Sequence, residues 1–128
     1  MQNVKVLIFV ESRYKVNRKR IKSAVAAVLE DNSVNTPIEI SIAIVGDRKM
    51  HKLNKQYRDK DKTTNILSFP LAEGEQTHLP SDVVRLGDIV ISYPELIRES
   101  AEQEMLVDDR VDELVQHGML HLMGLHHG

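Results

Sequence analysis

The 128-residue sequence has no cysteine and no tryptophan, and aromatics make up only 4% of it. Without cysteine there is no disulfide framework and no thiolate ligand, so any metal has to rest on histidine. The few aromatics leave little on which nucleobases could stack. No apolar run approaches the ~18 residues of a membrane span. Met1 to Val10 lacks a basic leading region and a small-residue cleavage site, so it reads as a strand and not as a signal peptide. A cytoplasmic location and no membrane partner are expected, and nothing calls for a small-molecule organic cofactor. There is no repeat, low-complexity tract or linker, which predicts one domain over residues 1–128.

What is present is unevenly placed. The net charge is −2, yet fourteen of the seventeen Lys and Arg residues fall within positions 1–62, while eight acids lie between Glu95 and Glu113. One basic cluster runs from Arg13 to Lys22 and a second from Arg48 to Lys62. A basic face attracts phosphate locally even when the total charge is near zero; solvated helix surface is the plainer account of the same clusters.

Hydrophobic periodicity orders the chain. Val4 to Val10 is a strand of β-branched and aromatic residues. Asn17 caps a helix running to about Leu29, with Ile21, Ala24, Val25 and Val28 as its apolar face. Ile38 to Val45 alternates with period two, and Gly46-Asp47 leads into a helix to about Tyr57 with Met50, Leu53 and Tyr57 turned inward. A charged loop follows, then a short strand from Asn65 to Phe69 stopped by Pro70, a polar loop over 71–85 that includes an exposed His78, and a strand from Leu86 to Ser92. Pro94 opens a third helix reaching about Glu104, and Asp108-Asp109 open the last. The reading is α+β, a four-stranded mixed sheet packed with helices.

Four of the six histidines lie in the final twelve residues, His117-Gly-Met-Leu-His121-Leu-Met-Gly124-Leu-His126-His127-Gly128. His117 and His121 project from one helix face, and Gly124 suits the left-handed turn that returns His127 toward them. The spacing H-x-x-x-H-x-x-G-x-x-H is that of metzincin-type sites, three imidazoles with a fourth position open, and predicts one metal ion per chain of the catalytic Zn2+ type, although nickel or iron would also accept three imidazoles. In zinc peptidases a glutamate base follows the first histidine; here that position is Gly118, and the sequence names no other base.

The terminal segment resembles the H-G-x-L-H-L-x-G-Y-D-H signature of the YbeY family of bacterial endoribonucleases. Leu53-Asn-Lys-Gln-Tyr57-Arg58-Asp-Lys-Asp-Lys-Thr-Thr64-Asn65-Ile-Leu-Ser68-Phe69-Pro70 and Leu86-Gly87-Asp88-Ile89-Val90-Ile91 agree with it too, so the likeness runs from about residue 37 to the end. The resemblance implies zinc held by His117, His121 and His127, and an arginine important for RNA cleavage at Arg58. It implies maturation of ribosomal RNA, notably at the 3′ end of the small-subunit RNA, and a role in ribosome quality control, with the ribosome and small-subunit proteins as partners. Arg18, Lys22, Lys49, Lys52 and Lys55 would hold the RNA through its phosphates. Leu125 and His126 depart from the Tyr-Asp of the signature, and His126 could compete as third ligand. The sequence ends at Gly128 where family members commonly continue with an acidic tail, which is expected to weaken the metal site. A non-catalytic, zinc-stabilised ribosome-assembly factor and, with less support, a metallopeptidase are the rival readings.

Overall fold

The computed structural model describes residues 4–11, 13–71 and 83–124. Among the described residues four strands and four helices follow one another as β1 (Val4–Val10), α1 (Arg18–Asp31), β2 (Ile38–Val45), α2 (Asp47–Arg58), β3 (Ile66–Pro70), β4 (Val84–Ser92), α3 (Tyr93–Glu102) and α4 (Val107–Leu122). The strands form one mixed sheet in the order β1-β2-β4-β3. The β1–β2 and β2–β4 pairings are parallel, and β3 runs antiparallel to β4 at the sheet edge.

The alternation of β2 decides the layering. Ile38, Ile40, Ile42 and Ile44 point to one face, where they join Ile89 and Ile91 of β4 under two helices. α1 contributes Ile21, Val25 and Leu29, and α4 contributes Val111, Leu114, Val115, Met119 and Leu122. Burial of each such side chain is worth about 1.5–3 kcal/mol. The second face is covered in part by α2, whose Met50 and Leu53 pack on Val45, Leu67 and Val90. Beyond α2 no other described helix packs on that face, and Phe9 on β1 is 61% exposed.

Polar contacts fix the helices. The Asn17 side chain accepts the Arg20 N–H and caps α1, as its sequence position predicts. Arg20 then reaches Asp109 (2.8 Å) and Asp112 on α4, and these hydrogen bonds raise its guanidinium pKa well above the ordinary arginine value. Arg110 donates to Glu99 on α3 at 2.8 Å and to Glu113 at 3.0 Å. Partial burial opposes its charge, but the two carboxylates outweigh it and raise its pKa. α4 is thus pinned on both sides along its N-terminal half.

Several boundaries differ from the sequence reading. Pro70 ends β3 as a member of it; β3 is an edge strand, where proline's missing N–H is tolerated. β4 begins at Val84, and its register shifts opposite Glu39/Ile40, a bulge that Leu86-Gly87 accommodates. α3 ends at Glu102. Asp47 lies inside α2 and does not cap it; its carboxylate accepts from Ser92 Oγ (3.0 Å) and Thr63 Oγ1 (3.4 Å). Tyr57, expected inward, is 58% exposed: its ring lies edge to face on Phe69 of the edge strand β3 and borders an open hollow, so it is not covered by the core. His78 and most of the 71–85 loop lie outside the described residues.

Candidate active-site cleft

α4 carries two histidines, one at the margin of its apolar stripe and one just beyond it. His117 is exposed and His121 half-buried, and their rings face one another with centroids 4.4 Å apart, tilted by 56°. Both line a cleft of about 420 Å3 against β3 and the segment after α2. Its other walls include Asn54, Arg58, Lys60, Lys62, Thr64 and Ser68.

The α2–β3 connection is shaped by one buried side chain. Asp59 takes a left-handed conformation (φ 56°) and ends α2. Asn54, only 2% exposed, then holds the chain through Nδ2 donating to the Lys62 carbonyl at 2.9 Å. The Asn54 main-chain carbonyl accepts the Lys60 N–H at 3.3 Å. This clamp sets Lys60 and Lys62 at the mouth of the cleft. Arg58 donates through Nη2 to the Ser68 carbonyl at 2.8 Å, on the free edge of β3. It therefore pairs with neither Asp59 nor Asp61, the partners suggested by sequence proximity. Asp61 instead meets His51 at 2.6 Å, and that hydrogen bond, with Lys55 nearby, holds its carboxyl below the ordinary value.

The candidate residues thus divide. His117, His121, Arg58 and Ser68 share the cleft. Arg18 and Lys49 line a separate groove over the open sheet face, and Lys22, Lys52 and Lys55 are exposed helix residues. Asp88 faces away from the histidines, into a hollow on the same open sheet face. Lys60 and Lys62 are cleft residues that periodicity assigns only to a charged loop; their alternation after Arg58, with buried Asn54 as the anchor, is the available signal.

The donor chemistry suits a metal of the zinc type: two imidazoles one helical turn apart, at the rim of a cleft. His127 and its competitor His126 lie outside the described residues, and among the described residues no group of three His, Cys, Asp or Glu could hold a metal ion. Gly124, at φ +74°, makes the expected turn after α4.

Gly118 explains the missing peptidase base. A Cβ there would lie 2.8 Å from Ile89 Cδ1 and 3.3 Å from Ile66 Cδ1. Here α4 packs tightly on β3 and β4, and any side chain at this position would have to displace Ile89 and Ile66. Gly118→Ala should therefore destabilise the fold. Overpacking costs about 1–3 kcal/mol, of which the better helix propensity of alanine returns up to about 1 kcal/mol. Urea unfolding measures the balance, and a more stable variant would contradict the close approach.

A family model described as Endoribonuclease YbeY matches residues 8–128. Among curated proteins, the Endoribonuclease YbeY of an Acinetobacter baumannii strain is 36% identical over 119 residues, covering 93% of this chain and 75% of that protein. Those of Acinetobacter baylyi and a Thermoanaerobacter species are 39% and 37% identical, covering 88% and 84% of this chain and 70% and 72% of theirs. A solution structure from Thermotoga maritima shares the fold, with a TM-score of 0.61 at 22% identity over 96% of this chain and 75% of that one. No helix among the described residues is long and apolar enough to cross a membrane.

Proposed function

The chain belongs to the Endoribonuclease YbeY family, and from that premise we propose that it is a zinc-dependent endoribonuclease acting on single-stranded ribosomal RNA. Its substrate on this reading is the 3′ end of the small-subunit RNA, and its partners are the ribosome and small-subunit proteins, in maturation and quality control. The observation that carries the proposal is the convergence of two facing imidazoles with three cations, Arg58, Lys60 and Lys62, in one cleft. Cations around a cleft of this size suit an anionic phosphodiester, and the peptidase reading loses ground because Gly118 is packed against Ile89.

The roles follow from position. His117 and His121, with His127, would hold the zinc. When bound, it supplies a water of lowered pKa and polarises a phosphoryl oxygen. Arg58 presents a planar fork of donors that matches two phosphate oxygens. Its present acceptor is a neutral backbone carbonyl, which a charged phosphate replaces favourably. Lys60 and Lys62 add positive charge at the mouth and favour entry of the strand.

Arg58→Ala should lower cleavage of a single-stranded RNA by about 10²–10³-fold, the usual effect of losing one donor to a developing anion. Arg58→Lys should recover only part of this, since lysine lacks the bidentate fork. Gel-resolved single-turnover kinetics is the measurement, and full activity in Arg58→Ala would remove this residue from the site.

A further inference from the structure

The face of the sheet opposite α1 and α4 carries a second hollow, of about 390 Å3, lined by Ser41, Ala43, Leu53, Tyr57, Phe69 and Asp88 among others. It adjoins the cleft: the Arg58 guanidinium that bonds the Ser68 carbonyl also lies 5.9 Å over the Phe69 ring. Tyr57 and Phe69 meet edge to face with centroids 5.2 Å apart. Three of the five aromatics in the chain, Phe9, Tyr57 and Phe69, are gathered on this one face.

We propose that this hollow is a nucleobase pocket, taking a base next to the scissile phosphate and favouring guanine. The inference deepens the endoribonuclease reading and rests on it. The apolar lining and the two rings suit the flat faces of a base. The Asp88 carboxylate and Ser41 hydroxyl have no hydrogen-bond partner among the described residues. A carboxylate accepts from the N1–H and exocyclic amino group of guanine together. It meets a single amino group on cytosine or adenine, and faces the carbonyl oxygens of uracil unfavourably. The occupant is a polyanion by charge: the hollow runs on over Ala43 and Val90 into a groove where Arg18 and Lys49 stand beside exposed Phe9. Glu11, which accepts the Gly46 N–H, is the acid in that groove, so its lining holds two basic side chains against one acidic one. An RNA strand crossing the β3 edge at Arg58 would thus lay a base on Tyr57 and Phe69 and run its phosphates toward Lys49.

The test uses fluorescence anisotropy on the full chain, with labelled nine-nucleotide uridine RNAs carrying G, A, C or U at the centre, alongside cleavage of the same RNAs. The wild-type protein should bind the G-containing RNA about tenfold more tightly than all-U. Tyr57→Ala, at an exposed position, should weaken all four by about tenfold, and Asp88→Asn should bring the G-to-U ratio close to one. Circular dichroism and unfolding midpoints verify that both variants fold. If the wild type cleaves RNA but Tyr57→Ala binds all four unchanged, this proposal alone falls. Unchanged RNA binding together with lost sedimentation on ribosomal particles would assign the hollow to a protein partner and overturn it. If the wild type neither binds nor cleaves, the endoribonuclease reading falls, and the pocket with it.

Discussion

His121→Ala should abolish zinc binding and reduce RNA cleavage by at least about 10³-fold. The magnitude follows from the several kcal/mol that a bound cation contributes to a transition state gaining negative charge, at about 1.4 kcal/mol per factor of ten. The fold should survive. His121 is half-buried at the margin of the α4 core stripe, and alanine is the better helix former. The buried side chains next to it, Met119 and Leu122, are untouched. Because Arg58, Lys60 and Lys62 remain in the cleft, RNA affinity should change little while turnover disappears. Elemental analysis should find about one zinc per wild-type chain and none in the variant, and prolonged chelation of the wild type should reproduce the variant's inactivity. Undiminished cleavage in a metal-free variant would remove the metal from the chemistry.

Gly87→Ala should cost more stability than Gly118→Ala, about 3 kcal/mol or more. Gly87 is buried at the bulge of β4 with φ +139°, a conformation that side chains rarely adopt. An added Cβ would overlap the Phe69 carbonyl oxygen of the neighbouring strand and lie 3.0 Å from Pro70 Cα. Backbone strain of about 1–3 kcal/mol then adds to a clash with main-chain atoms that cannot rotate away. Relief requires β3 to separate from β4, which moves the Ser68 carbonyl and the Arg58 that rests on it. Chemical denaturation should show the loss, and cleavage should fall even under conditions where the variant is folded. A variant as stable as the wild type would refute the close strand approach.

The two halves of the site differ in how legible they are in the sequence. β2 and α4 are readable because each exposes one period cleanly: isoleucine at every second position in β2, and Val111, Leu114, Val115 and Leu122 on one face of α4. The His117 and His121 pair follows from that helix and needs no tertiary information. Arg58 is legible through its resemblance to a family signature; the contact that seats it, Ser68 on an antiparallel edge strand, is not. Tyr57 shows the limit best. Its spacing from Met50 and Leu53 places it on the inner side of α2, but spacing cannot say how far the sheet extends beneath the helix. In the same way, an aromatic content of 4% says nothing of where those few rings meet. Phe69 and Asp88 are brought opposite one another by the β3–β4 pairing, a register set by long-range strand contacts.

The order of the elements has a consequence for synthesis. Arg58 and β3 precede α4 in the chain, and His121 is translated 63 residues after Arg58, about 3–13 s later at the usual rates of elongation. Until α4 emerges and docks on Ile89 and α1, the arginine faces no histidine. On the endoribonuclease reading proposed above, the two walls of the cleft come together only once the last helix has been made.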